Sequence, residues 1–199
     1  ALFAFFLDFA LLAQLLALIV ACGIGGLFYH LSRKREKLAA PFANERPVLL
    51  LIAPLFIFSF ALFWTHTILP RDGAVWVGQS TYGDLAMHLG FISSIATQGT
   101  FPPMYSICPD KLVGYPFLCE SVAATFCVLG ASLRFATLIT ALYAMLLVLL
   151  GVYFFFETWL KTKTKAIFST LLFLVGGGFG FWYFVDLTKH NPEQFSRFL

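Results

Sequence analysis

Asp84 and His88 stand four residues apart in the segment Gly83-Asp84-Leu85-Ala86-Met87-His88. In a helix that spacing puts both side chains on one face, about one turn apart. A carboxylate beside an imidazole can take a proton from a hydroxyl group or orient that group for attack. Asp84 also has a structural reading, because an aspartate at a helix start caps free N–H groups and complements the helix dipole. The two readings are compatible. Alone, His88 would be a satisfied interfacial histidine; next to Asp84 it becomes a candidate partner. Glu120 falls in an apolar stretch, where a carboxylate is costly and should face protein or a water-filled cavity. The same holds for Asp8. Arg134 opens an apolar span, from which its head can snorkel to the interface, and Lys111 reads as a solvated loop lysine.

No metal centre is expected from the ligand types. The four cysteines, Cys22, Cys108, Cys119 and Cys127, form no Cys-x-x-Cys pair, and the histidines are scattered. They read as small apolar filler. One aspartate and one histidine are too few ligands to define a site, which leaves a divalent cation open as a cofactor.

The elements that must carry these residues follow from composition. Of 199 residues, 60% are hydrophobic and only 12% charged, with 25 phenylalanines. A mean hydropathy of +0.86 leaves too little polarity for an aqueous surface. The fold class expected is all-α, a multi-pass transmembrane helix bundle. A span needs roughly 20 apolar residues. Residues 1–31 form the first, and 32–46 a basic loop that the positive-inside rule assigns to the cytoplasm through Arg33 to Lys37. Residues 47–69 form the second, with Pro54 tolerated inside it. Residues 70–116 are then a long outer loop. Leu85, Leu89, Ile92 and Ala96 repeat at three- and four-residue steps, predicting an interfacial amphipathic helix near 84–97 that ends at Gln98-Gly99. A short membrane helix follows over 116–130. If it does not cross, the basic loop 161–165 falls in the cytoplasm; if it crosses, that loop lies outside. Residues 132–160 and 166–187 are further spans, and 188–199 an outer segment. The Gly176 to Gly180 run reads as close packing or a kink, and Trp182 and Tyr183 as an interfacial belt. The chain opens within an apolar run and reads as an excerpt of a longer one, with no cleavable signal peptide expected. A net charge of +3 with dispersed basic residues gives no footprint for nucleic acid.

A series of residues carries a family resemblance. Asp84 with His88, then Gln98-Gly99-Thr100-Phe101-Pro102-Pro103, Gly114-Tyr115-Pro116, an apolar helix, and Gly130-Ala131-Ser132 with Arg134 follow in order. The series resembles the first outer loop and following helices of the GT-C superfamily of integral-membrane glycosyltransferases, over about residues 82–134. The Gly176 to Phe181 stretch is similar to a later part of such proteins. The resemblance implies transfer of a sugar from a polyprenyl-phosphate donor to an acceptor at the outer membrane face. It implies an acidic residue of the first outer loop acting on the acceptor, which maps onto Asp84. Many members carry an acidic pair here, whereas Leu85 follows Asp84. On this reading Asp84 and His88 are catalytic, and Lys111, Tyr115, Glu120 and Arg134 bind substrate. Arg134 and Lys111 are the cations available to steady a departing phosphate. The partners implied are membrane lipid, the lipid-linked sugar donor and other membrane subunits, in a bacterial cell membrane. The alternative is a non-catalytic assembly subunit, a GT-C-like pseudoenzyme or part of a transporter. A transporter would carry paired broken helices in related halves, and no internal repeat is present.

The orientation is directly testable. Cys108 in the long loop is expected to react with a membrane-impermeant maleimide in intact cells. A cysteine placed at Glu36 should react only after permeabilisation, and the reverse pattern would invert the topology.

Overall fold

The computed structural model describes residues 3–35, 46–78, 82–108 and 110–176, together with Trp182, Asp186, Lys189, His190 and Glu193. The chain divides into two units, 1–147 and 148–199. Much of the expected 166–187 span, the glycine run 177–180, Tyr183 and most of segment 188–199 lie outside the described residues, as do Glu36 and Lys37.

The structure is mostly helical, in the order α1 (Ala4–Leu7), α2 (Leu11–Arg35), α3 (Arg46–His66), α4 (Tyr82–Gln98), α5 (Leu118–Val128), α6 (Leu133–Leu160) and α7 (Lys163–Val175). Three stretches are long and apolar enough to cross a membrane, Leu11–Ser32, Arg46–His66 and Leu133–Leu160. Large apolar side chains project outward from them, including Phe28, Leu50, Phe58 and Leu147. Water disfavours such a surface and a hydrocarbon phase accepts it. Pro54 sits within α3 without breaking it.

Several boundaries differ from the sequence expectation. The run expected to be one helix over 1–31 is broken at Asp8, which adopts φ 58°. That positive φ, paired with ψ 175°, ends α1 in a conformation that is costly for a residue with a side chain. The turn sends Phe9 inward, 2% exposed, where its N–H donates to the Gly99 carbonyl. Helix α5 covers 118–128 rather than 116–130, giving a length of about 16 Å, roughly half a hydrocarbon core.

The all-α expectation also omitted a hairpin. Strands β1 (Leu69–Arg71) and β2 (Ala74–Trp76) pair antiparallel, with Leu69 opposite Trp76 and Arg71 opposite Ala74. Asp72 and Gly73, at φ 53° and 75°, form the two-residue turn. Positive φ at both central positions is the type I′ pattern, for which Asp-Gly is a preferred sequence. The Trp76 indole N–H donates to the Arg71 carbonyl across the hairpin.

The core of the first unit lies where four segments meet. Ala4 and Phe9 come from the N-terminal turn, Ile92 and Ile95 from α4, Ala123 and Ala124 from α5, and Ala136 from α6. The small alanines let α4 approach α5 closely, and these two helices share the most extensive helix pairing among the described residues. Phe101, just past α4, binds the cluster together. Its ring lies 4.9 Å from Phe5, 6.0 Å from Phe9 and 5.7 Å from Phe117. In the second unit Leu149, Tyr153, Ala166 and Thr170 are buried.

Phe9 is thus the buried plug of the N-terminal turn. Phe9→Ala is expected to lower stability by about 3 kcal/mol through the lost contacts and the cavity left behind. Denaturant unfolding in micelles checks this, and an unchanged midpoint would remove Phe9 from the core.

Candidate functional site

Helix α4 positions the site. It starts at Tyr82, so Asp84 lies in its first turn, and it stops at Gln98. Gly99 follows at φ 72°, the left-handed position that glycine takes at little cost after a helix. The Gln98 side chain closes this end, donating to Ser94 Oγ at 2.6 Å and accepting the Met104 N–H at 3.2 Å. The expected stripe holds in part. Ile92 is buried, and Leu89 and Ala96 pack against the core. Phe91 and Ile95 are buried as well, so the C-terminal half of α4 is enclosed more fully than one stripe requires.

The extra cover is the loop after Phe101. Tyr105 N–H donates to the Lys111 carbonyl and Val113 N–H to the Pro103 carbonyl, folding 103–113 back on itself. The Phe91 ring lies 5.7 Å from both Tyr105 and Tyr115. The proline-rich segment is therefore an ordered cover over α4, not a slack connector.

The central polar contact joins the two packed helices. His88 Nδ1 lies 2.6 Å from Glu120 Oε1. The Glu120 side chain is 8% exposed and that of His88 33% exposed. Glu120 sits in the first turn of α5, between the apolar side and the docked α4. The distance is that of a strong, charge-assisted bond. The second carboxyl oxygen, Oε2, is buried and has no hydrogen-bond partner among the described residues. Tyr115 sets its ring edge-on to His88, with centroids 5.8 Å apart.

The six residues singled out from the sequence thus separate into groups. His88, Glu120 and Tyr115 come together. Asp84 lies one turn before His88 on α4, exposed, and makes no hydrogen bond or ion pair among the described residues. Lys111 is exposed in the folded-back loop. Arg134 is engaged elsewhere. Its guanidinium donates to the Trp64 carbonyl at 3.0 Å and lies 4.2 Å from the Trp64 ring centroid. A cation at the last turn of α3 complements the carbonyl end of that helix. Neither Lys111 nor Arg134 is bonded to Asp84, His88 or Glu120 among the described residues. Beside Arg134 lies an apolar cavity of about 120 Å³ lined by Phe60, Trp64, Phe135, Leu138, Ile139 and Leu142.

Two partners were not foreseen. Gln14, 7% exposed, accepts a hydrogen bond from Thr125 Oγ1 at 3.0 Å, joining α2 to α5. The rule that an amide in an apolar helix must find a partner signals that Gln14 is paired, but not with what. The same rule flagged Glu120 without naming His88. No group of three or more potential metal ligands is found among the described residues. Comparison of the chain with models of known families, with curated proteins and with solved structures finds no match.

The pair makes a thermodynamic prediction. His88→Ala strips the buried carboxylate of its donor and is expected to cost about 3 kcal/mol. Adding Glu120→Leu to that variant should recover most of the loss, because the uncompensated charge is then gone. A double-mutant cycle by denaturant unfolding reads the coupling, and strictly additive effects would mean that the two side chains do not interact.

Proposed function

We propose that this protein is a multi-pass membrane glycosyltransferase of GT-C type. It moves a sugar from a polyprenyl-phosphate donor to a hydroxyl acceptor at the outer face of a bacterial cell membrane. The observation that supports this best is the exposed Asp84 carboxylate at the start of α4, one turn from a histidine held by a buried glutamate. Three helices long and apolar enough to cross a bilayer give the setting in which a lipid-linked donor is found. In this reading α4 lies along the interface under its aromatic cover, with its polar N-terminal turn toward the acceptor.

The chemistry asks little of the protein beyond placement. The acceptor O–H gives its proton to the Asp84 carboxylate as the oxygen attacks the anomeric carbon. The bond from that carbon to the phosphate oxygen breaks, and its electron pair leaves with the polyprenyl phosphate. Lys111, exposed in the loop that covers α4, is the cation available to the phosphate.

A second reading, a non-catalytic membrane assembly subunit, draws on one observation. Arg134, the other candidate for the phosphate, already serves Trp64. The two readings part on Asp84, which a scaffold does not need.

Asp84→Asn keeps size and polarity but removes the base. In proteoliposomes given a tritiated hexosyl polyprenyl phosphate, it is expected to cut transfer at least ~100-fold with folding intact. Full transfer by the variant would end the catalytic assignment, and absence of transfer by the parent protein would favour the scaffold.

A further inference from the structure

Glu120 was expected to bind substrate. Its geometry describes a different task. The side chain is more than nine-tenths buried, lies in an apolar helix, and spends Oε1 on His88 Nδ1 at 2.6 Å. Its remaining oxygen is shut away from solvent. A group so enclosed cannot reach a substrate that approaches from outside. It can act only through the residue it touches, and that residue is one third exposed.

We infer that Glu120 is a positioning residue that fixes His88 as the Nδ1–H tautomer and turns its Nε2 lone pair outward, as a hydrogen-bond acceptor for a hydroxyl-bearing ligand. A buried carboxylate bonded at one oxygen only is held in place by its single donor, so the proton of the pair belongs on Nδ1. The hydrogen bond at one imidazole nitrogen decides the state of the other. In that tautomer Nδ1–H is committed to Glu120, and Nε2 is the nitrogen left as an acceptor. Tyr115 holds the ring from the side with its edge-on contact, and Phe91 supports Tyr115 in turn. Ring orientation and tautomer are thus both set before any ligand arrives, the preorganisation that a directional contact needs.

The consequence for the site is a division of labour on one face of α4. Asp84, one turn before His88, is unbonded among the described residues. A ligand with two neighbouring hydroxyls, the arrangement common to sugars and polyols, can give one O–H to the Asp84 carboxylate and the other to His88 Nε2. The identification of that ligand as a glycosyl acceptor rests on the function proposed above. The assignment of the Glu120 and His88 roles does not.

The test is ¹⁵N NMR of histidine-labelled full-length protein in nanodiscs, with His88 assigned by its loss in His88→Gln. The expected spectrum shows the Nδ1–H tautomer at His88 in the parent protein. In Glu120→Leu, whose apolar side chain suits α5, it should switch toward the Nε2–H form. Titration with methyl α-mannoside, a soluble polyhydroxyl probe, should then move the Nε2 resonance of the parent protein saturably and leave that of Glu120→Leu unmoved. An Nε2–H tautomer in the parent protein, or an Nδ1–H tautomer that survives in Glu120→Leu, would overturn the positioning role. An equal response of both proteins to the glycoside would overturn the ligand assignment. These readouts need no turnover. A tautomer switch alongside absence of transfer by the parent protein would remove the glycosyltransferase reading and keep this one.

Discussion

A carboxyl group placed in an apolar helix must be paired, and in this protein the first unit is arranged around that requirement. Glu120 meets it across the seam with α4, where His88 Nδ1 lies 2.6 Å from its Oε1. Ala123 and Ala124, one turn further along α5, remove the bulk that would keep the helices apart. The apolar contacts supply the attraction between the two helices, and the His88–Glu120 bond pins one point of the seam.

The same packing decides what covers the helix. Once α4 is seated, Ile92 and Ile95 share the core with α5, and Phe91 is buried outside that cluster. The loop after Gly99 covers Phe91 by folding back on itself and bringing Tyr105 and Tyr115 over its ring. Phe101 does the corresponding work at the other end, where it meets Phe5, Phe9 and Phe117. Aromatic rings fill large volumes with few rotatable bonds, so such a cover is rigid at modest entropic cost. The exposed polar turn bearing Asp84 is left at the open end of a helix whose other end is enclosed.

Charge is distributed with a similar economy. Arg134 is tied to the end of α3 through the Trp64 carbonyl and ring, where a cation offsets the exposed carbonyls of the last turn. It therefore serves architecture before it serves any ligand. His88 and Glu120 meet in a hydrogen bond across the α4–α5 seam. The side chains of Asp84 and Lys111 remain exposed and unbonded among the described residues. The groups free to meet a ligand are thus fewer than the charged residues of the loop would suggest.

Much of this could be read along the chain, and the limit falls at a definite place. Apolar run length marked spans over 1–31, 47–69 and 132–160, where the structure has Leu11–Ser32, Arg46–His66 and Leu133–Leu160, because crossing a hydrocarbon layer is a requirement on consecutive residues. The start of α4 near Asp84 and its stop at Gly99 were legible for the same local reason, and so was the shared face of Asp84 and His88. The Asp72-Gly73 hairpin was not foreseen, although its turn chemistry is equally local. The partners were not legible. Glu120 and His88 are 32 residues apart, Arg134 and Trp64 are 70 apart, and Gln14 and Thr125 are 111 apart. Solvation demands that each buried polar group be paired, and sequence shows that demand. Which group answers depends on how helices pack, which no local pattern encodes, and so only the tertiary structure brought Glu120 to His88.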